Sequence, residues 1–368
     1  MVSLYDLSLA ELTEFCAGLG ERPFRARQLY AWLYGKGEND FAKMTDIPAI
    51  AREKLTANSN ADGLFLAESL SSTDGQTTKH LFGTDDGNYI ETVFMKYKDR
   101  NSVCISTQAG CRMGCRYCAS GSMGLVRDLS PAEMALQIVL SERAAGARTK
   151  NVVLMGIGEP LDNFDNVKKF IENFTDDHGR DLSRRAITLS TCGLVPGIER
   201  LAAELPQVEL AVSLHAPNDK LREEIMPVTK RYGVRALIEA AGRHYEKTHR
   251  RTTFEYMLIK GFNDELRHAA ELAAILKGMN CIVNLIPLNR AGNEGKGSGK
   301  PGAVDGGYHG GGAEAASARY RGTGAEAAER FREALGQKHI PATVRKSLGA
   351  DIDAACGQLR LRRAPNAE

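Results

Sequence analysis

Four of the eight cysteines, Cys104, Cys111, Cys115 and Cys118, fall within fifteen residues, while Cys16, Cys192, Cys281 and Cys356 stand apart. An even number would suit disulfides, but in a reducing compartment such a cluster points to a metal or a catalytic site. In GCRMGCRYCASG, three and then two residues separate Cys111, Cys115 and Cys118. Thiolates so spaced can bind different irons of one cuboidal 4Fe–4S cluster from a single loop, and three ligands leave one iron without protein sulfur. An open iron suits a chelating cosubstrate such as S-adenosylmethionine (SAM), whose amino and carboxylate groups complete the coordination. A structural zinc with Cys104 or Cys356 as fourth ligand is the competing reading. Zinc sites usually pair two distant Cys-x-x-Cys units, and no second unit exists here.

These residues need a scaffold, and the pattern supplies one. Residues 1–60 read as small helices: Ser8 and Glu11 have capping-box spacing, and Phe24, Gln28, Leu29, Trp32 and Leu33 fall on one helical face. From 65 to 107 the pattern is strand-like, with turns expected at Asp86-Gly87 and around residues 99–101. Six apolar runs then alternate with helices: 102–107, 151–158, 185–192, 208–215, 252–259 and 281–288. Ser130-Pro131-Ala132-Glu133 opens the first of those helices with an N-cap, a proline at N1 and a reciprocal glutamate. Continuous apolar strands between helices indicate a buried parallel sheet. The predicted fold class is α/β, an open, partial (βα)6 barrel with its site at the C-terminal strand ends, a small N-terminal helical domain and a β-hairpin extension.

The expected divisions are 1–60 (helical), 61–100 (strand and hairpin linker), 101–290 (barrel core), 291–322 (glycine-rich insert) and 323–368. Ten of residues 291–312 are glycine, too little side chain to bury a fixed loop, so a flexible segment is expected. A helix near 324–337, a strand at 343–346 and a basic tail with Arg360, Arg362 and Arg363 close the chain.

Composition narrows the class. Of 368 residues, 43% are hydrophobic and 26% charged, enough for a large core. No run approaches the ~18 apolar residues of a membrane span, and no basic n-region precedes an apolar stretch, so a cytoplasmic protein without membrane attachment is expected. Net charge is +2 overall, with 11 Lys and Arg against 15 Asp and Glu in residues 1–100, leaving a surplus of +6 beyond. That surplus permits an RNA partner without demanding one.

CISTQAGCRMGCRYCASG, VLMGIGEPLDNFDNV, RRAITLSTCGLVPGI, LAVSLHAPNDKLREEIMP, NLIPLN and DIDAACGQL, in this order, resemble the RlmN/Cfr family of radical-SAM RNA adenine methyltransferases. The resemblance runs from about residue 80 to 359, with a compatible N-terminal helical region. One departure is Leu348-Gly349-Ala350-Asp351, where the family usually carries Arg-Gly-Asp-Asp.

The resemblance implies a 4Fe–4S cluster on Cys111, Cys115 and Cys118, and two molecules of SAM: one cleaved to a 5′-deoxyadenosyl radical, one a methyl source. By motif position Cys356 would carry the methyl group, Cys104 would resolve the protein–RNA link by forming a disulfide, and Glu91 would act as general base. Gly156, Gly158, Glu159, Ser190, Ser213, Leu214, His215 and Asn289 occupy positions expected to contact SAM. Glu159 would accept from the SAM ammonium, and the glycines would let backbone approach the ligand. Implied partners are 23S rRNA at the peptidyl-transferase centre before assembly, the adenosine 3′ of the tRNA anticodon, and an electron donor such as flavodoxin. A monomer is expected. Residues 1–60 would be an RNA-binding accessory, with Arg25 and Arg27 reaching the RNA; Arg184-Arg185, Lys230-Arg231 and His249-Arg250-Arg251 are further phosphate candidates. Methylation at adenine C8, the Cfr-like activity, is the nearest alternative; Glu91 and the intact CGQL favour C2. A non-catalytic, zinc-stabilised RNA-binding protein is the alternative of another class.

Overall fold

The computed structural model describes residues 1–289, 320–345, 348–354 and 357–359, and the backbone of 362–363. Cys356, the glycine-rich stretch 291–312 and Arg360 lie outside the described residues. At the N-terminus, β1 (Val2–Ser3) pairs in parallel with β2 (Ser59–Asn60), around α1 (Leu9–Gly18), α2 (Pro23–Tyr30) and α3 (Ala49–Asn58). The expected capping box starts α1: Glu11 N–H donates to Ser8 Oγ, and Ser8 N–H to the Glu11 carboxylate.

The inward face of α2 is not the one expected. Phe24 is exposed, Gln28 bonds Asp46, and Trp32 is only half-buried, its Nε1–H donating to Asp46. Leu29 and Leu33 are buried as expected, joined by Ala26, Tyr30 and Tyr34. Tyr34 meets Phe174 edge-on, and Tyr30 OH donates to the Asn173 carbonyl. The helical region therefore shares one continuous core with the barrel.

Strands β3 (Leu64–Ser71), β4 (Thr77–Thr84) and β5 (Asn88–Lys96) form an antiparallel meander, turning at Asp86-Gly87 as expected. β5 pairs with β6 (Asn101–Cys104), which starts the parallel run through β9 (Asn151–Leu154), β10 (Ile187–Thr191), β11 (Glu209–Ser213), β12 (Thr252–Leu258) and β13 (Cys281–Pro287). The meander therefore continues the barrel sheet edge to edge. The six expected parallel strands are present, though each of the first two ends several residues earlier than its apolar run. A seventh parallel strand, β14 (Ala342–Val344), adds to β13; it is shorter than the expected 343–346 and begins one residue sooner. A short antiparallel hairpin, β7 (Gln108–Cys111) with β8 (Gly124–Asp128), was not expected at all. Gly110 sits in it at φ 81°, where a Cβ would lie 2.0 Å from the Gly124 carbonyl.

Between the strands run α4 (Pro131–Ala145), opened by the expected Ser130/Glu133 box, then α5 (Phe164–Phe174), α6 (Val195–Glu204), α7 (Asp219–Ile225), α8 (Val234–Thr248), α9 (Leu266–Leu276) and α10 (Ala325–Gln337). Finally β15 (Arg362–Arg363) returns to pair antiparallel with β5. Among the described residues no helix is long and apolar enough to cross a membrane.

Candidate active site

The β7–β8 hairpin presents the cysteines. Cys111 ends β7, and Cys115 and Cys118 lie in the loop before β8. Cys111 and Cys115 are buried and Cys118 half-buried. Behind them Cys115 packs with Cys192, Ile225, Met226, Met257, Ile259 and Leu288, a wall that excludes water. Arg116 N–H donates to the Ile225 carbonyl, pinning the loop to the end of α7. Burial pushes the Cys111 thiol up to about 12 and Cys115 higher still, and each is raised further by neighbouring cysteines. The two buried thiols, Cys111 and Cys115, would give up their protons most readily to a strongly cationic partner, which is the chemistry of a metal donor set.

Their spacing bears on which metal. Sulfurs around one tetrahedral zinc stand about 3.8 Å apart, given Zn–S near 2.3 Å. Among the described residues, the one triad of His, Cys, Asp or Glu ligand atoms mutually within 4.8 Å is Asp176, Asp177 and His178. The three cysteines do not form such a triad; three thiols on one loop, ligating separate irons, would suit a cluster.

Around the loop stand the strand ends. Tyr117 packs edge-on against His215, with ring centroids 5.1 Å apart. His215 itself is buried at φ 59°, an unusual conformation for a side-chain-bearing residue. Its Nδ1 accepts from Met257 N–H, so the ring proton of the neutral imidazole sits on Nε2. Burial, then Arg222, holds its pKa down at about 3. Ser190 and Ser213 are half-buried on adjacent strands β10 and β11; Leu214 is buried after β11, and Asn289 is half-buried just beyond β13. These residues therefore collect at the C-terminal edge of the parallel sheet, where such folds hold ligands.

Three of the positions expected to contact SAM also serve the protein's own packing. Gly156 and Gly158 are required by the protein's own backbone: a Cβ on Gly156 would lie 2.6 Å from the Ile105 carbonyl, and one on Gly158 2.7 Å from Gln108 Cβ. The loop after β9 is laced to residues 105–108, with Gly156 N–H donating to Ile105 O and Thr107 N–H to Ile157 O. Glu159 is buried, its carboxylate already accepting from Cys192 N–H at 2.7 Å and Leu161 N–H at 3.1 Å. It buttresses the ends of β9 and β10, and burial raises its pKa.

A second group of residues lies on one face of the meander. The registers Leu81↔Glu91, Lys79↔Val93, Val93↔Cys104 and Cys104↔Val153 put Lys79, Leu81, Glu91, Val93 and Cys104 on the same side. Glu91 is buried, and the Lys79 ammonium stands 3.2 Å from its Oε1. Lys79 Nζ also donates to the Asp353 carbonyl at 3.3 Å. Cys104 packs with Val93, Ile157, Ala354 and Leu359. The described C-terminal residues thus cover this face. They also bond to the cysteine loop: Ala119 N–H donates to Gly357 O at 2.9 Å, and Ser120 Oγ to Leu359 O at 2.7 Å. Despite Leu348 and Ala350, Asp351 anchors the segment by accepting from Thr73 N–H and Oγ–H.

The basic candidates divide. Arg25 is buried and bonded to Gln28 and Asp46, which takes it out of reach of RNA, while Arg27 is exposed. Arg250 pairs with Glu209, Lys230 with Glu223, and Arg184 bonds Thr175. One residue escaped the sequence reading. Arg222, fully buried on α7, donates to the carbonyls of Leu214, Ser213 and Cys192 and to Thr229 Oγ1.

An open α/β barrel with a Cys-x3-Cys-x2-Cys loop at its mouth is the architecture of a radical-SAM enzyme, and residues 105–273 match the radical SAM superfamily model. Residues 2–60 match the model of the ribosomal RNA large subunit methyltransferase N-terminal domain. The chain is 44% identical over 361 residues to a protein of Desulforamulus reducens named "Probable dual-specificity RNA methyltransferase RlmN", covering 98% of this chain and 96% of the relative. A Clostridium botulinum protein of the same name is 42% identical, with 98% of each chain covered. A crystal structure of a radical SAM methyltransferase from Sphaerobacter thermophilus superposes with a TM-score of 0.88 at 43% identity, covering 98% of this chain and 99% of that one. The chain belongs to the RlmN family of radical-SAM RNA methyltransferases.

Proposed function

We propose that this enzyme methylates C2 of an adenosine in 23S rRNA and of the adenosine 3′ of the tRNA anticodon, carrying the methyl group on Cys356. Cys111, Cys115 and Cys118 hold the 4Fe–4S cluster, and SAM lies against Ser190, Ser213, Leu214, His215 and Asn289, with Gly158 and Glu159 shaping the wall. When bound, the cluster supplies the electron that cleaves SAM to methionine and a 5′-deoxyadenosyl radical. Cys356 takes its methyl from one SAM and, after hydrogen abstraction from that methyl, delivers a one-carbon unit to the base. Glu91 removes the proton from the substituted carbon, and the odd electron of the radical adduct would pass back to the oxidised cluster, leaving a closed-shell base linked to Cys356. Cys104 then attacks Cys356 Sγ; the S–S bond forms as the carbon–sulfur bond breaks, and the carbon keeps the electron pair and is protonated. A donor such as flavodoxin provides electrons, and residues 1–60 act as an accessory RNA-binding unit.

The observation that carries this reading is the convergence of the residues flanking Cys356. Ala354 and Leu359 pack on Cys104, and Gly357 and Leu359 bond the cysteine loop, so the described residues on either side of position 356 join the resolving thiol to the cluster loop, which supports the reading. The test is direct. Intact mass of protein purified from cells should show a methyl group on Cys356. Cys356→Ala should abolish methylation while the cluster stays, and Cys104→Ala should accumulate a covalent protein–RNA adduct. Clean turnover by Cys104→Ala refutes its role, and a methyl group mapped to C8 in digested RNA refutes the regiochemistry.

A further inference from the structure

Arg222 is the largest fully buried side chain of the described residues, and its surroundings are unusual for a cation. Every hydrogen bond it makes goes to a neutral acceptor: the carbonyls of Leu214, Ser213, Cys192 and Tyr232, and Thr229 Oγ1 at 2.9 Å. No carboxylate among the described residues pairs with it. The Asp219 carboxylate, one turn earlier on α7, is instead turned to Val234 N–H at 2.6 Å. Burying a cation without an anion costs stability, so such a site calls for a counter-ion. Arg222 holds the Cys192 carbonyl, and Cys192 packs in one cluster with Cys115 and with Ile225 and Met226 at the end of α7. The cysteine loop is tied to the same helix by the bond from Arg116 N–H to Ile225 O.

We propose that Arg222 is the countercharge of the thiolate-ligated cluster: a positioning residue whose fixed cation offsets the negative charge of the cysteine sulfurs and eases the arrival of the reducing electron. The inference rests on the cluster assignment above. It assigns one residue two duties, because the same guanidinium pins together the ends of β10 and β11, where the SAM contacts gather. A cation held at a buried point favours whichever cluster state carries more negative charge, which is the reduced one.

The experiment is a reductive titration of reconstituted holoenzyme followed by electron paramagnetic resonance, for the wild type, Arg222→Gln and Arg222→Lys. Loss of the cation in Arg222→Gln should shift the one-electron reduction equilibrium at least tenfold toward the oxidised cluster, which is about 59 mV more negative. Arg222→Lys, which keeps the charge but loses most of the bonds, should stay within threefold of the wild type. A purely structural arginine predicts the reverse: both variants lose stability alike and neither moves the potential. Thr229→Asp is the second variant, because it places a carboxylate beside an intact Arg222 and should shift the potential in the same direction as glutamine. Should Arg222→Gln not fold, Thr229→Asp decides. An unchanged potential in whichever neutralised variant folds, or a lysine variant displaced as far as glutamine, overturns the proposal. If the wild type itself takes up no iron, it is the proposed function that falls.

Discussion

Ser120→Ala tests whether the C-terminal segment is docked on the cysteine loop by the contacts described. Ser120 is buried, and its Oγ donates to the Leu359 carbonyl at 2.7 Å, across 239 residues of sequence. Alanine keeps the backbone and creates almost no cavity, but it strands a buried carbonyl, at a cost of about 1–3 kcal/mol. The parallel bond from Ala119 N–H to Gly357 O survives, so the segment should still dock. If that cost falls wholly on docking, the undocked population rises roughly 5- to 150-fold, at about 1.4 kcal/mol per factor of ten. Amide hydrogen exchange resolved to residues 357–359 is the assay, with α4 and α8 as internal controls. Exchange at 357–359 should accelerate by that factor while the controls are unchanged, and iron content should match the wild type. Unchanged exchange at 357–359 refutes the docking argument; acceleration everywhere shows that Ser120 supports the whole fold and not this contact.

Two other perturbations follow from the geometry. Gly158→Ala forces a side chain into φ 108° and sets its Cβ 2.7–2.8 Å from Gln108; strain and overpacking together should cost about 2–5 kcal/mol. Urea unfolding should show that loss, together with reduced iron uptake, because Gln108 begins the strand that ends in Cys111; a wild-type midpoint would mean that the loop relaxes. The pH dependence can be worked from the buried histidines. Burial holds His80 and His244 at about 4 and His215 at about 3, below the ordinary 6.5. A histidine whose folded pKa is depressed leaves stability intact above 6.5 and removes it as pH falls from 6.5 toward the folded value. Each contributes up to ~1.4 kcal/mol per pH unit in that window. His244→Leu, remote from the cysteines on α8, should flatten the slope between pH 6 and 4.5 by about one proton; an unchanged slope means that the buried ring is not the titrating group.

What the sequence disclosed and what it hid divide along physical lines. Local signals were legible: Ser8 with Glu11 and Ser130 with Glu133 form their caps within four residues, so no tertiary knowledge was needed. The parallel strands were legible because each reads as a largely apolar run, and none of the six expected ones has an exposed position. The β7–β8 hairpin was not, since its strands, QAGC at 108–111 and GLVRD at 124–128, are too short to show either alternation or a continuous apolar run. Arg222 was hidden for the opposite reason: a charged residue in LREEIMP reads as solvent-facing, and only the packing of α7 beneath the loop buries it. Gly156 and Gly158 carry a second constraint, the close approach of residues 105–108, that the sequence alone does not disclose.

The hybrid sheet explains why residues so far apart in sequence can serve one reaction. A parallel barrel alone would gather functional groups only at the C-terminal strand ends, where His215, Ser213 and Asn289 lie. The antiparallel meander runs off β6 in the same sheet, so its inward face continues the barrel's, and Glu91 and Cys104 occupy it one strand apart. Over that shared face the chain's last described residues fold back, held by β15 at one end and by Asp351 on Thr73 at the other. Register sets the geometry. Because side chains alternate across a strand, slipping β5 by one residue would turn Glu91 and Val93 away from Cys104 together. The proposed base and the proposed resolving thiol are therefore placed by one pairing, and any substitution that shifts the β5–β6 register should disable both steps at once without touching the iron.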